Sequence, residues 1–201
     1  MSLETYHHIA KSASAGAPLV FAFHGTGGDE HQFEGLVAQI LPEAGLIAPR
    51  GDVSEHGTNR FFRRTGEGVY DMADLARRTA AMAGFIRAAR AAYPASAVYA
   101  LGYSNGANIL ASVLFQAPEL FDRAALLHPL IPFEPALQPG LAGKRVLITA
   151  GERDAICPLP LTRSLEAYFE AQGAESRLFT HRGGHEITQS ELAKVAGFLQ
   201  K

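Results

Sequence analysis

The sequence predicts an α/β fold, with a mostly parallel central sheet carrying helices on both faces. Three observations predict it. Short apolar runs alternate with longer amphipathic stretches, separated by Gly or Pro, as strand and helix do when they succeed one another around a parallel sheet. Several short runs are apolar at every position, as strands covered on both sides must be. The 201 residues, 47% apolar and 19% charged, suffice for one sizeable core and would be cramped as two, so 1–201 reads as a single domain.

The strand candidates, in order, are 18–23 (PLVFAF), 45–48 (GLIA), 97–101 (AVYAL), 124–127 (AALL), 145–149 (RVLIT) and 176–179 (SRLF). Helices are predicted over 30–40, 71–93, 105–116, 161–172 and 187–200. The second begins with acidic residues and stops before Pro94, in keeping with the charge preferences of helix ends and with proline as a stop. Two stretches break the alternation, 51–69 (GDVSEHGTNRFFRRTGEGV) and 128–143 (HPLIPFEPALQPGLAG). Both follow predicted strands, and long connections after the carboxyl ends of strands build the ligand rim of an open α/β sheet.

Charge and cysteine content exclude several function classes. Eighteen basic against twenty acidic residues give a net charge of −2, which offers nothing to attract nucleic acid or an anionic membrane; a small neutral substrate fits better. The one cysteine, Cys157, has no internal partner, and the first sixteen residues hold Glu4, two histidines and Lys11 instead of an apolar leader. These features point to the cytoplasm, with no integral membrane association. Oligomeric state stays open, a homodimer included.

The chemistry is carried by Gly102-Tyr103-Ser104-Asn105-Gly106, a G-x-S-x-G pattern between a predicted strand and a predicted helix. A serine nucleophile on so tight a turn needs glycines two residues to either side, and the following helix points its N–H groups at developing negative charge. A serine needs a base, and the base a third group to fix its tautomer. Asp154 follows the 145–149 strand and His185 the 176–179 strand, so both reach the rim of Ser104 in the chain order Ser, Asp, His. Glu152 is a lesser alternative for the acid and His181 for the base, the latter still paired at its strand end while Gly183 and Gly184 give His185 a mobile approach. The remaining histidines, 7, 8, 24, 31, 56 and 128, lack that position. No metal-ligand motif is present, so no metal or other cofactor is expected. The loop His24-Gly25-Thr26-Gly27-Gly28-Asp29 supplies one oxyanion N–H from Thr26, and Asn105 supplies the other.

With these residues the chain resembles the phospholipase/carboxylesterase family of α/β-hydrolases, relatives of the acyl-protein thioesterases. The resemblance spans H-G-T-G-G-D-E at 24–30, N-R-F-F-R-R at 59–64, G-Y-S-N-G at 102–106, G-E-R-D-A-I-C-P at 151–158 and G-G-H-E at 183–186. It implies an α/β-hydrolase fold with little lid, a cofactor-free mechanism and a Ser104, Asp154, His185 triad. The R-F-F-R-R loop at 60–64 and H-P-L-I-P-F at 128–133 resemble the small bacterial esterases more than the thioesterases, in which glutamine commonly follows the nucleophile where this chain has Asn105. Arg60, Phe61, Phe62, Arg63 and Arg64 form either an anchored loop or a wall with a carboxylate-binding group, with Phe62, Arg63 and Arg64 as substrate contacts in the latter case. Ile131 and Phe133, in the Leu130 to Phe133 run, line an acyl pocket or fill the core. The expected function is hydrolysis of short- to medium-chain or aromatic esters through an acyl-enzyme. A thioesterase or lysophospholipase with the same triad, and a non-catalytic binding protein on the same fold, are the alternatives.

Overall fold

The computed structural model describes residues 2–200. In chain order the elements are β1 (His8–Lys11), β2 (Leu19–Phe23), α1 (Glu34–Ile40), β3 (Gly45–Pro49), β4 (Val53–Glu55), β5 (Thr58–Arg60), β6 (Arg64–Gly66), β7 (Val69–Tyr70), α2 (Met72–Ala92), β8 (Val98–Tyr103), α3 (Asn105–Gln116), β9 (Arg123–Leu127), β10 (Arg145–Gly151), α4 (Leu159–Ala171), β11 (Glu175–His181) and α5 (Gln189–Gln200). Seven strands form the main sheet in the order β1-β3-β2-β8-β9-β10-β11. Only β1 runs antiparallel to its neighbour. The expected α/β fold is therefore present.

Alternation along β2 divides the core. Leu19, Phe21 and Phe23 join residues of α2, α3 and α4, while Val20 and Ala22 join residues of α1 and α5 on the other side. Every β2 side chain is buried, which is why the strand is apolar throughout instead of alternating. Chain order runs outward from β2 in both directions, to β3 on one side and β8 on the other. That switch point opens a crevice at the carboxyl ends of the strands.

Boundaries differ from expectation where tertiary pairing or a cap decides them. The strand predicted to end at Leu101 continues to Tyr103, because Gly102 and Tyr103 pair with Leu126 and Leu127. The helix expected from Glu30 begins at Glu34, since Glu30 turns away to receive the Arg50 guanidinium at 2.6 Å. Thr188 starts α5 two residues late through a reciprocal cap, its N–H donating to Glu191 at 2.7 Å and its hydroxyl accepting the Glu191 N–H at 3.3 Å. β1 was not expected at all. The stretch 51–69, expected as an irregular connection, is two hairpins, β4–β5 and β6–β7. The first turns at His56 and Gly57, both at positive φ, the two-residue geometry that matches strand twist.

Candidate active site

Ser104 sits at the joint between β8 and α3 with φ 52° and ψ −117°, a conformation that costs a non-glycine residue on the order of 1–3 kcal/mol. The flanking glycines make the joint sterically feasible. A Cβ on Gly102 would meet the Gly106 backbone, and one on Gly106 would run into the carbonyls of Phe23 and His24, where α3 starts hard against the end of β2. The serine N–H donates to the Leu127 carbonyl at 2.8 Å, fixing the elbow to β9.

Three strand ends bring the predicted residues into one line. Ser104 Oγ lies 2.9 Å from His185 Nε2, and His185 Nδ1 lies 2.7 Å from Asp154 Oδ2. Asp154 Oδ1 accepts the N–H groups of Ile156 (2.9 Å) and Cys157 (2.8 Å). Burial works to raise the Asp154 carboxyl, but the Cys157 N–H and the His185 and His128 rings outweigh it and hold the pKa below its ordinary value. Glu152 points to solvent, its N–H spent on the His181 carbonyl, and stays out of the line.

The 183–184 segment, expected as a mobile approach for His185, is tethered in the structure. Arg153 ties it down from its N–H to the Gly183 carbonyl (3.0 Å) and from Nε to the Arg182 carbonyl (2.6 Å). Gly183 serves close passage, since a Cβ there would meet the Glu186 carboxylate and the His181 ring, and Gly151 is needed where the Gly184 carbonyl passes.

Thr26 and Asn105 both border Ser104. Asn105 is the first residue of α3, so its N–H has no acceptor within the helix, and the Thr26 N–H has no protein acceptor among the described residues. The loop carrying Thr26 is braced by His24, whose Nδ1 donates to the Gly25 carbonyl (2.7 Å) while Nε2 accepts the Gly51 N–H (2.8 Å). Burial lowers the His24 pKa and keeps the ring neutral in that role. Asn105 has a second task, its Oδ1 accepting the Phe61 N–H at 2.7 Å.

The cavity at Ser104, about 310 Å³, is bordered by Arg60, Arg64, Tyr70, Leu130 and Ile156 among others. Of the expected substrate contacts, the structure brings only Arg64 there. Phe62 is fully buried against Tyr70, with ring centroids 4.8 Å apart, so it anchors the hairpins instead. Arg63 is exposed and outside the cavity. Its place is taken by Arg60, almost wholly buried, which donates to the Thr26 hydroxyl at 2.9 Å. Ile131 and Phe133 line a different and larger cavity, about 640 Å³, against α4, so Leu130 is the member of that run that reaches the site.

Sequence reasoning passed over what stands behind Asp154. His128, fully buried at φ 49°, places Nδ1 2.9 Å from Asp154 Oδ2 and Nε2 2.9 Å from Glu191 Oε1. Glu191 in turn lies 3.1 Å from His181 Nε2. The partners are far apart along the chain, and no local spacing announces them. Among the described residues two trios, His128-His181-Glu191 and His128-Asp154-His185, hold ligating atoms within 4.8 Å of one another. Their imidazole-to-carboxylate separations of 2.7–3.1 Å match or slightly exceed those of charge-assisted hydrogen bonds.

Sheet order, elbow and rim together define an α/β-hydrolase. No protein-family model matches the chain. The provisionally named hydrolase MhqD of Bacillus subtilis (strain 168) is 39% identical over 190 residues, covering 94% of each chain. A Bacillus cereus carboxylesterase superposes with a TM-score of 0.90 at 34% identity, over 97% of this chain and 93% of that one. Atu2452, a protein of unknown function from Agrobacterium tumefaciens, superposes at 0.93 with 56% identity, over 100% and 98%. The chain belongs to the phospholipase/carboxylesterase family of α/β-hydrolases.

Proposed function

We propose that the chain is a serine carboxylesterase acting on small soluble esters, with Ser104 as nucleophile, His185 as base and Asp154 as the group that orients it. The observation that carries this is the continuous line from Ser104 Oγ through both nitrogens of His185 to Asp154, at 2.9 and 2.7 Å. His185 Nε2 takes the hydroxyl proton as Ser104 Oγ bonds to the ester carbonyl carbon. The resulting oxyanion accepts from the N–H groups of Thr26 and Asn105, each such donor contributing about 2.7–4 kcal/mol of transition-state stabilisation. The carbon–oxygen bond to the alcohol then breaks, and His185 returns its proton to the departing oxygen. A water gives a proton to His185 and its oxygen to the acyl carbon, and Ser104 leaves with the proton restored.

The size of the cavity supports short or medium acyl groups and aromatic leaving groups, and two short hairpins stand at its edge. No helix among the described residues is long and apolar enough to cross a membrane. The single buried thiol is in keeping with a cytoplasmic setting. A fluorophosphonate probe tests the assignment: wild type becomes covalently labelled, and Ser104→Ala loses both labelling and turnover of p-nitrophenyl acetate. Folded wild type that resists the probe would overturn the reading. An acyl-chain and leaving-group series, thioesters and lysophospholipids included, then separates the esterase from the other hydrolase readings.

A further inference from the structure

Two carboxylates, Asp154 and Glu191, are both wholly withdrawn from solvent behind the nucleophile and its base, and each ionised group there needs a counter-charge. Three imidazoles are within reach. His185 must keep Nε2 free to receive the serine proton. His181 accepts the Gly183 N–H at Nδ1 (3.0 Å), so its single proton is on Nε2, facing Glu191. Only His128 has a carboxylate oxygen at both nitrogens, each 2.9 Å away. A neutral ring would turn one lone pair against a carboxylate lone pair, and the Glu191 contact, off the ideal N–H line, has the character of an ion pair more than of an aligned hydrogen bond.

We propose that His128 is a positioning residue of this hydrolase: a buried imidazolium that pins Asp154 in place for His185, with Glu191 as its counter-ion. The proposal rests on the serine-hydrolase reading above. Asp154 Oδ2 receives both rings, His185 Nδ1 at 2.7 Å and His128 Nδ1 at 2.9 Å, while Oδ1 takes two backbone N–H groups. His128 is thus the one donor on the His185 side of the carboxylate that does not take part in proton transfer. Its left-handed backbone, held by an N–H bond to the Thr149 carbonyl at 3.0 Å, aims the ring between the two acids.

The titratable groups facing His128 from the packed elements are Tyr103 of β8, Asp154 and Cys157 after β10, His181 of β11, His185 and Glu186 in the loop that follows, and Glu191 of α5. Burial alone would lower the His128 pKa, but Glu191 and Asp154 raise it above the ordinary histidine value. Burial likewise pushes Glu191 upward, yet His128, the Thr188 N–H and the Thr149 hydroxyl hold it at about 2. The cation also sets the charge felt by His185. With Asp154 and Glu191 ionised and His128 charged, the cluster carries one net negative charge; without His128 it carries two.

The test is the pH profile of kcat/KM for p-nitrophenyl acetate in wild type, His128→Gln, Glu191→Gln and the double variant. Removing the cation alone moves the acid limb of His128→Gln upward by about one pH unit and lowers kcat/KM at the plateau by about tenfold or more. Removing cation and counter-ion together returns the limb to the wild-type position. A limb in His128→Gln that coincides with wild type would overturn the proposal. Should that variant not fold, ¹⁵N-histidine NMR of wild type decides: one of the eight histidines keeps two slowly exchanging N–H protons above the ordinary histidine titration range. If wild type turns over ester and no such ring is found, this proposal falls while the serine-hydrolase reading stands; if wild type neither labels nor turns over, that reading falls first.

Discussion

Arg63 and Arg64 are adjacent in sequence and unlike in surroundings. Arg64 borders the Ser104 cavity and shares Glu55 with Arg60, whereas Arg63 offers its backbone N–H to Asp74 (2.8 Å) and leaves its side chain in solvent. Glu55 between the two guanidiniums and Glu67 in the cavity lining balance the fixed charges there, and Arg64, exposed at the mouth, is the guanidinium placed to meet an ester that carries its own acid group. Arg64→Glu is accordingly expected to raise KM severalfold for a dicarboxylic monoester and little for a neutral one, while Arg63→Glu changes neither. Steady-state kinetics on a matched ester pair checks it, and equal effects of the two variants would remove Arg64 from substrate contact. At this scale the sequence was informative where chemistry is local. The five residues around Ser104 announce their own geometry, but nothing beside Arg60 in the chain signals that it, and not Arg63, turns inward.

Among the elements, Asn108 on α3 does most to seat the pocket wall. Its Nδ2 donates to the Tyr70 hydroxyl (2.8 Å), its Oδ1 accepts the Leu130 N–H (2.7 Å), and the Tyr70 hydroxyl donates to the Leu130 carbonyl (2.6 Å), all buried. One amide thus joins the β6–β7 hairpin and the segment after β9 to the helix behind the nucleophile. Asn108→Ala leaves a buried N–H and a hydroxyl short of partners, at a cost of about 1–3 kcal/mol in urea unfolding, and raises KM more than it lowers kcat because the wall, not the triad, loosens. An unchanged KM would show that the hairpin is held by Phe62 and Tyr70 packing alone. The hairpins escaped the sequence reading because their strands are two or three residues long, too short for alternation to show, although His56-Gly57 stands where Asn-Gly would have signalled a turn. β1 was missed for a related reason. As an edge strand of four residues with half of them exposed, it has little apolar pattern to read. The parallel strands were legible because burial on both faces leaves no other composition open to them.

For the molecule as a whole, acid stability is concentrated in a few carboxylates. Glu30 is held at about 2, chiefly by the Arg50 fork, and Glu191 at about 2 by the partners that outweigh its burial. Both lie below their ordinary value of 4.5, so their contribution to stability is complete above that value and disappears as pH falls toward 2. His128, raised instead, contributes in the opposite sense, and its share declines as pH climbs through its folded value. The urea midpoint is therefore expected to drop steeply between about pH 4.5 and 2, and Glu30→Gln to start lower and fall less. Parallel curves for variant and wild type would mean that folding does not shift the Glu30 pKa. The layout also separates two kinds of inheritance. The line from Ser104 to Asp154 hangs on the ends of three parallel strands, β8, β10 and the edge strand β11, while Arg60, Arg64, Glu67, Gly68 and Tyr70 of the cavity lining belong to two short hairpins inserted between β3 and α2. Exchanging those hairpins between relatives, with Asn59, Arg60 and Phe61 kept because they hold Gly27, Thr26 and Asn105, would move substrate preference on a conserved reactive centre, which makes the remainder of the two hairpins the natural cassette for redesigning what this hydrolase accepts.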